Sequence, residues 1–438
     1  MKRFYEKHIR EKIRTFDVFE LGNSFACFYI ALFFPIPFLV YTRFLLFVPG
    51  YSQYSDDRRM GFTTILYLLL GIMFFIAGYK ANVFKKLGSL GNNIFESAWA
   101  PRRTALVFAL VFGVGLTLKA VTISQGIYSH LGKNLSVVTS SWYSVIGLFN
   151  LFGPLALAMA FAYYFYLLKS GNPSYKIWRI IAWLNFTLEF LYGFFSFSHF
   201  SAIIPIMVYL IVRHYAYRKS FWKIIITAGI VLFLMMPVQN FYKNKNIFFV
   251  GYADQFYETR DVNSQVTRYV FDTSLRRVDQ SRMIEAIFTK TSHFLYGKTL
   301  LNFFVSLGPP RFIWRDKPVI NASGNELGRQ YGVLTPDDLG TSVGPTVLGD
   351  LYMNFGILGI TAGMFVFGSL LKFIYEYFIL RTQQSLSGIM AYSIIWIEVI
   401  KGTEDWIAPV YAGLVKLMVI IVAICLLLKA EKISITAK

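Results

Sequence analysis

The chain has 438 residues, 55% of them hydrophobic and 15% charged, with a mean hydropathy of +0.50 and a formal net charge of +19 from 43 basic and 24 acidic side chains. A soluble domain of this size carries about a quarter charged residues, so the composition excludes an ordinary soluble protein and points to an all-α, polytopic integral membrane protein. Much of the positive excess lies in short loops between apolar runs, where it is a topology signal and gives no reason to expect nucleic acid.

Met1 to Arg14 is a basic tail without an A-x-A-like cleavage site behind a short apolar region. It reads as cytoplasmic and retained, with the first span as signal anchor. Runs of about 20 apolar residues, enough to cross a bilayer, predict ten spans: 21–48, 62–82, 103–122, 144–168, 178–197, 198–216, 221–242, 350–379, 386–401 and 407–429. Only "SFSHFS" separates the fifth from the sixth. Lys80, Lys85, Lys86, Arg102 and Arg103 follow span two, Lys169, Lys176 and Arg179 span four, and Arg213, Arg218, Lys219 and Lys223 span six. Basic exits after even-numbered spans put both termini in the cytoplasm. Were spans five and six one helix, the downstream half would invert, with Lys372, Arg381 and the basic C-terminal tail on the wrong side. Pro35, Pro37, Pro154, Pro205 and Pro237 fall inside spans, where kinks are common. Gly359 and Gly363, in "GILGITAG", form a small-xxx-small pair expected to mark close helix packing. Cys27 and Cys425 sit far apart in apolar runs and offer neither a disulfide framework nor a metal knuckle.

This topology divides the chain into an N-terminal bundle (1–242), one large outer loop (243–349) and a C-terminal bundle (350–438). Apolar residues are interspersed through the loop, unlike a disordered tract. Residues 264–288 have the alternation of an amphipathic helix lying on the membrane surface.

The loop holds thirteen Lys or Arg against ten Asp or Glu, so its charged chemistry depends on which arginines lack a partner. On a helix Arg268 and Arg276 each lie four residues from Asp272, and Arg282 lies three from Asp279, ordinary surface pairs. Arg277 has no acidic residue at either spacing and is free for an external anion. In "GPPRFIWRDKP", Gly308 to Pro318, three prolines stiffen the chain and Phe312, Ile313 and Trp314 anchor it at the interface, presenting Arg311, Arg315 and Lys317 near headgroup level. A guanidinium fork matches phosphate oxygens bidentately; binding of anionic lipid, or pairing with Asp316, is the plainer alternative. Asp350, in "VLGDLYMNFG", ranks first as a proton acceptor because burial raises a carboxyl pKa; an aspartate in a first helical turn, favoured by the macrodipole, is the competing reading. Glu404 and Asp405 in "KGTEDW" could replace it, and His199, at the turn between spans five and six, is the next candidate, ahead of His293. No Walker loop, G-x-S-x-G elbow or H-E-x-x-H helix is present. An Asp-x-Asp pair is also missing, which argues against a metal-dependent enzyme using nucleotide sugars.

The segment "GPPRFIWRDKPVINASGNELGRQYGVLTPDDLGTSVGPTVLGDLYMNFGILGI", Gly308 to Ile360, resembles the signature region of the Wzy-type oligosaccharide repeat unit polymerases of O-antigen and exopolysaccharide assembly. The shared features are a Pro-Arg-aromatic turn closed by Lys-Pro, a polar glycine-containing stretch, and small-acidic-x-Tyr-x-Asn-Phe-Gly leading into a span. Asp350 stands where glutamate is commoner in that family, and Ser198-His199 where many members have Ser-Arg. The resemblance implies a GT-C-like helical membrane fold in the bacterial inner membrane and a metal-independent glycosyl transfer with no cofactor. The donor would be an undecaprenyl-pyrophosphate-linked glycan, passed to an incoming repeat unit at the outer face. For that chemistry the charge on the leaving pyrophosphate is assigned to Arg277, Arg311 and Arg315, with Lys317 and Arg282 in support, the acceptor proton to Asp350 and then His199, and sugar stacking to Trp314 and Tyr352. A chain-length regulator and a flippase are the expected partners. The related O-antigen ligases carry His-[Asn/Ser/Gln]-x9-Gly, and none of the five histidines here is followed by Asn, Ser or Gln. A flippase for the same lipid-linked glycans is the competing class; polar residues should then line several spans, whereas here they concentrate in one loop.

Overall fold

The computed structural model describes residues 17–34, 60–88, 94–96, 98–124, 151–196, 199–217, 280–309, 313–318, 324–336 and 342–429. The predicted span 221–242, residues 264–279 of the predicted amphipathic helix, and the second half of the first span lie outside them. The described helices are α1 (Leu21–Phe33), α2 (Phe62–Ala81), α3 (Pro101–Ser124), α4 (Phe152–Lys169), α5 (Tyr175–Phe195), α6 (His199–Tyr217), α7 (Ser281–Lys290), α8 (Lys298–Leu307), α9 (Thr346–Phe355), α10 (Gly359–Leu380), α11 (Leu386–Lys401) and α12 (Ile407–Leu428). The chain is thus an all-α polytopic membrane protein. Helices α2, α3, α4, α10 and α12 are each long and apolar enough to cross a membrane.

Buried side chains place α4 at the centre, with Leu155 through Tyr163 each 3% exposed or less. By contrast α2, α3 and α12 show many large apolar side chains outward, including Leu66, Leu106, Leu110 and Val419, as helices facing lipid do. The fifth and sixth spans are separate helices: α5 ends at Phe195 and α6 begins at His199. Gly193 lies against the Ser201 backbone, where a Cβ would overlap it.

Two polar layers mark the ends of the bundle. At one, Asp17 accepts hydrogen bonds from Tyr215 (2.9 Å) and Tyr375 (3.0 Å) and pairs with His214 (3.1 Å). Glu20 there accepts from Tyr79 (2.6 Å) and Lys372 (3.1 Å). Trp99 donates to Ser387 Oγ (2.7 Å) and Arg103 to the Lys429 carbonyl (3.0 Å). Among the described residues, this end gathers the basic residues after α2 (Lys85, Lys86), around the α4–α5 turn (Lys169, Lys176, Arg179) and near the end of α6 (Arg213, His214).

At the opposite end α7 lies across the tips of α1 and α2. The Gln280 amide donates to the Leu32 carbonyl (3.3 Å), and Glu285 accepts from the Gly61 amide (3.1 Å), satisfying an otherwise unpaired donor at the start of α2.

The predicted span 350–379 is corrected. Its helix starts earlier, at Thr346, and stops at Gly356, whose φ of 59° ends α9 before α10 resumes at Gly359. A Cβ on Gly356 would press into the Phe294 ring. Gly359 and Gly363 do serve close helix packing, and their partner is Leu351 of the preceding α9.

Candidate functional site

Helix α9 is held from three sides at the end opposite the basic loops. Its last-turn carbonyls, which have no partner within the helix, receive the Leu295 amide at Met353 (2.9 Å) and the Tyr296 amide at Asn354 (3.0 Å). The tight turn behind those donors has φ 47° at Tyr296 and 88° at Gly297, and it launches α8 back alongside α9 and α12.

Asp350 sits in the second turn of α9 with no exposed surface. This removes the reading of an aspartate in the first helical turn. Its Oδ1 accepts from Thr299 Oγ1 (2.6 Å) and Asn354 Nδ2 (3.0 Å), and its Oδ2 accepts from the backbone N–H of Ile407 (3.0 Å), the first residue of α12. One carboxylate thereby pins three helices. Outside the spanning helices, its pKa is raised above the ordinary carboxylate value: burial dominates over the three donors that favour the anion, and the charge of Asp405 adds to the rise. Thr299 is partly exposed and also receives a hydrogen bond from Asn354 Nδ2. Donating to Asp350 and accepting from Asn354 leaves its hydroxyl one lone pair for a further donor. Asn354 Oδ1 and Trp406 Nε1, both buried, have no partner among the described residues.

The other predicted residues are spread around this network. Tyr352 is buried, its ring packed against Phe288, Tyr67 and Phe294. Trp314 is 38% exposed and rests on Gly308. Arg315 is exposed, and Lys317 donates to the carbonyls of Gly308 (3.1 Å) and Pro309 (3.2 Å). Arg282 is half-buried on α7, and His293 is exposed in the turn between α7 and α8. His199 opens α6, and its side chain lies outside the described part, as do Arg277 and Arg311 entirely. Asp405 accepts from the Trp406 amide (2.8 Å), and Gly344 packs on the Glu404 carbonyl. No group of three or more His, Cys, Asp or Glu that could hold a metal occurs among the described residues.

Two features escaped sequence reasoning. Thr299 is 51 residues from Asp350, and nothing in "KTLLNFF" marks its hydroxyl. The spans are also less uniformly apolar than expected, since Lys119 of α3 and Glu189 of α5 form a salt bridge beside Gly153. Each is a lone charge in an apolar run, legible as unusual, but their pairing is not.

Residues 331–408 match a family model described as "Putative O-antigen polymerase". No curated protein and no solved structure matches the chain. The matched stretch, well under half of the chain, runs from Tyr331 through α9, α10 and α11 to the first turn of α12, and so contains Asp350, Asn354 and Ile407. Over the segment that builds most of the Asp350 network, the chain is similar to the O-antigen polymerases that its signature region resembles.

Proposed function

We propose that the protein is a membrane glycosyltransferase that polymerises lipid-pyrophosphate-linked oligosaccharide repeat units into a surface polysaccharide. The observation carrying this reading is that the family match falls on the buried Asp350 network at the end of the bundle away from the basic loops. Basic loops favour the cytoplasmic side, so this end faces outward in the bacterial inner membrane, with both termini inside.

The reaction breaks the anomeric C–O bond to pyrophosphate and forms one to an acceptor hydroxyl. The chief demand is charge stabilisation on the leaving phosphates, assigned to Arg277, Arg282, Arg311, Arg315 and Lys317. Asp350 takes the acceptor proton, with His199 as the alternative base. Because Asp350 is fully buried, its contact with substrate runs through Thr299: the hydroxyl gives its proton to Asp350 and takes one from the acceptor. Trp314, which is 38% exposed, suits sugar stacking better than Tyr352, whose ring is enclosed by aromatics. No metal takes part in this scheme.

Purified protein supplied with lipid-pyrophosphate repeat units should produce a ladder of longer glycans. Assisted movement of those lipids across vesicles without a ladder would instead identify a flippase, and wild-type ladders from both Arg311→Ala and Arg315→Ala would remove those arginines from the site.

A further inference from the structure

Helix α8, "KTLLNFFVSL", is apolar over most of its circumference, and its polar residues Lys298, Thr299, Asn302 and Ser306 share one face, the face of Thr299, which bonds Asp350. It runs parallel to α12. Near its start Thr299 meets the Asp350 carboxylate that also holds the first N–H of α12, and near its end the Ser306 carbonyl receives Lys416 Nζ at 2.6 Å. Seven residues separate Thr299 from Ser306, about 10 Å at the helical rise of roughly 1.5 Å per residue. Over that length α8 follows α12, a helix long and apolar enough to cross a membrane.

The far end of α8 is tied to protein donors. Lys416 serves Ser306, Lys317 serves Gly308 and Pro309, and the Gly308 amide returns to Phe304 (3.0 Å). Where α8 lies against the middle of α12, away from bulk water, the Ser306 carbonyl takes its donor from Lys416 of that spanning helix. Meanwhile Leu301 and Phe304 are 62% and 67% exposed, and Val415 and Val419 of the neighbouring α12 are exposed as well.

We infer that α8 is a membrane-inserted helix that enters the outer leaflet from the end carrying α7 and α9 and seats Leu301 and Phe304 against lipid acyl chains. The partner of this surface is the bilayer interior. The inference is independent of the proposed chemistry.

The test uses full-length protein in sealed liposomes. Cys27, which is exposed, is changed to alanine, and the buried Cys425 stays in place. Single cysteines are then introduced as Tyr296→Cys, Leu301→Cys and Phe304→Cys, all at exposed positions. A membrane-impermeant maleimide, present on both faces, should label position 296 freely and positions 301 and 304 about tenfold or more slowly, with rates becoming equal in denaturant. Spin labels at 301 and 304 should be relaxed by oxygen and shielded from a water-soluble nickel complex, more so at 304. Labelling of 301 and 304 as fast as 296, or equal exposure of all three to nickel, would overturn the insertion.

Discussion

Helices α7 and α8 are both ten residues long and stand side by side in sequence, yet they solve different problems. In α7 the apolar Met283, Ile284, Ile287 and Phe288 are buried while Arg282, Glu285, Thr289 and Lys290 keep solvent contact. That is one apolar stripe, and it lies across the tips of α1 and α2. In α8 the apolar arc is wider, leaving one polar face with Lys298, Thr299, Asn302 and Ser306; none of its residues is buried, and it runs along α12. The contrast teaches that stripe width, more than helix length, decides whether an outer helix covers the bundle or descends beside it. It also separates their roles in the site, because α8 supplies Thr299 to Asp350 and α7 supplies packing for Tyr352.

The largest expected effect tests that division. Asp350→Asn should lower polymerisation about 10²- to 10⁴-fold, the range for loss of a general base, and Thr299→Val should approach it while Thr299→Ser keeps most activity. Ile287→Val on α7 should leave turnover within a fewfold and cost about 0.5–1.5 kcal/mol of stability. With Asp350 as the proposed base, which must be ionised to act and whose pKa is raised by burial, wild-type activity should fall with acidification at a pH above the ordinary carboxylate range. The same shift means that the folded chain holds the proton more tightly than the unfolded one, so this group's contribution to stability declines as pH rises through the window. A turnover–pH profile and a melting–pH profile moving in opposite directions check the pair. Full ladders from Asp350→Asn would make the carboxylate a structural pin only.

A second comparison places one charge on each helix. Phe304→Asp on α8 puts a carboxylate among acyl chains and should cost up to about 2.5–3.5 kcal/mol. Thr289→Asp, near the end of α7, meets water and opposes only the macrodipole, for less than about 1 kcal/mol. Unfolding in lipid nanodiscs measures both, and equal costs would erase the distinction between the helices.

The sequence reveals these features unevenly. A bilayer demands about 20 apolar residues per span, so α2, α3, α4 and α12 are legible from local hydropathy. The break at Gly356 is not: "NFGILGI" reads as one apolar run, and a left-handed residue facing Phe294 interrupts it. Asp350 was identifiable as an acid beside a span, but its donors come from α8 and α12, and no local pattern encodes which hydroxyl will face it. For the same reason Lys416 reads only as a lone charge inside a predicted span until it is seen holding the end of α8.

Each of the two helices also meets a lysine. Lys416 Nζ bonds the Ser306 carbonyl beside α8, and Lys290 Nζ of α7 bonds the Tyr331 carbonyl at 2.6 Å in an exposed position. Lys416→Met leaves a carbonyl without a donor in hydrocarbon and should cost about 1–3 kcal/mol, whereas after Lys290→Met water can take the vacated place and the loss stays near 0.5–1 kcal/mol, by rough count. Chemical denaturation of the two variants gives the ordering, and a larger loss from Lys290→Met would reverse it.

The smallest effect isolates how α7 holds α2. Glu285 accepts the Gly61 amide at the N-terminus of α2, where a negative charge is favoured by the helix dipole. Glu285→Gln keeps an oxygen acceptor and removes only the charge, so the loss should be about 0.3–1 kcal/mol. Because the contact is exposed, salt should screen the charge contribution, and the difference between wild type and variant should shrink toward zero near 1 M, where the Debye length falls to about 3 Å. A difference that persists at high salt would mean that the carboxylate acts through hydrogen-bond geometry, and the tie between α7 and α2 would then rest on shape instead of the dipole.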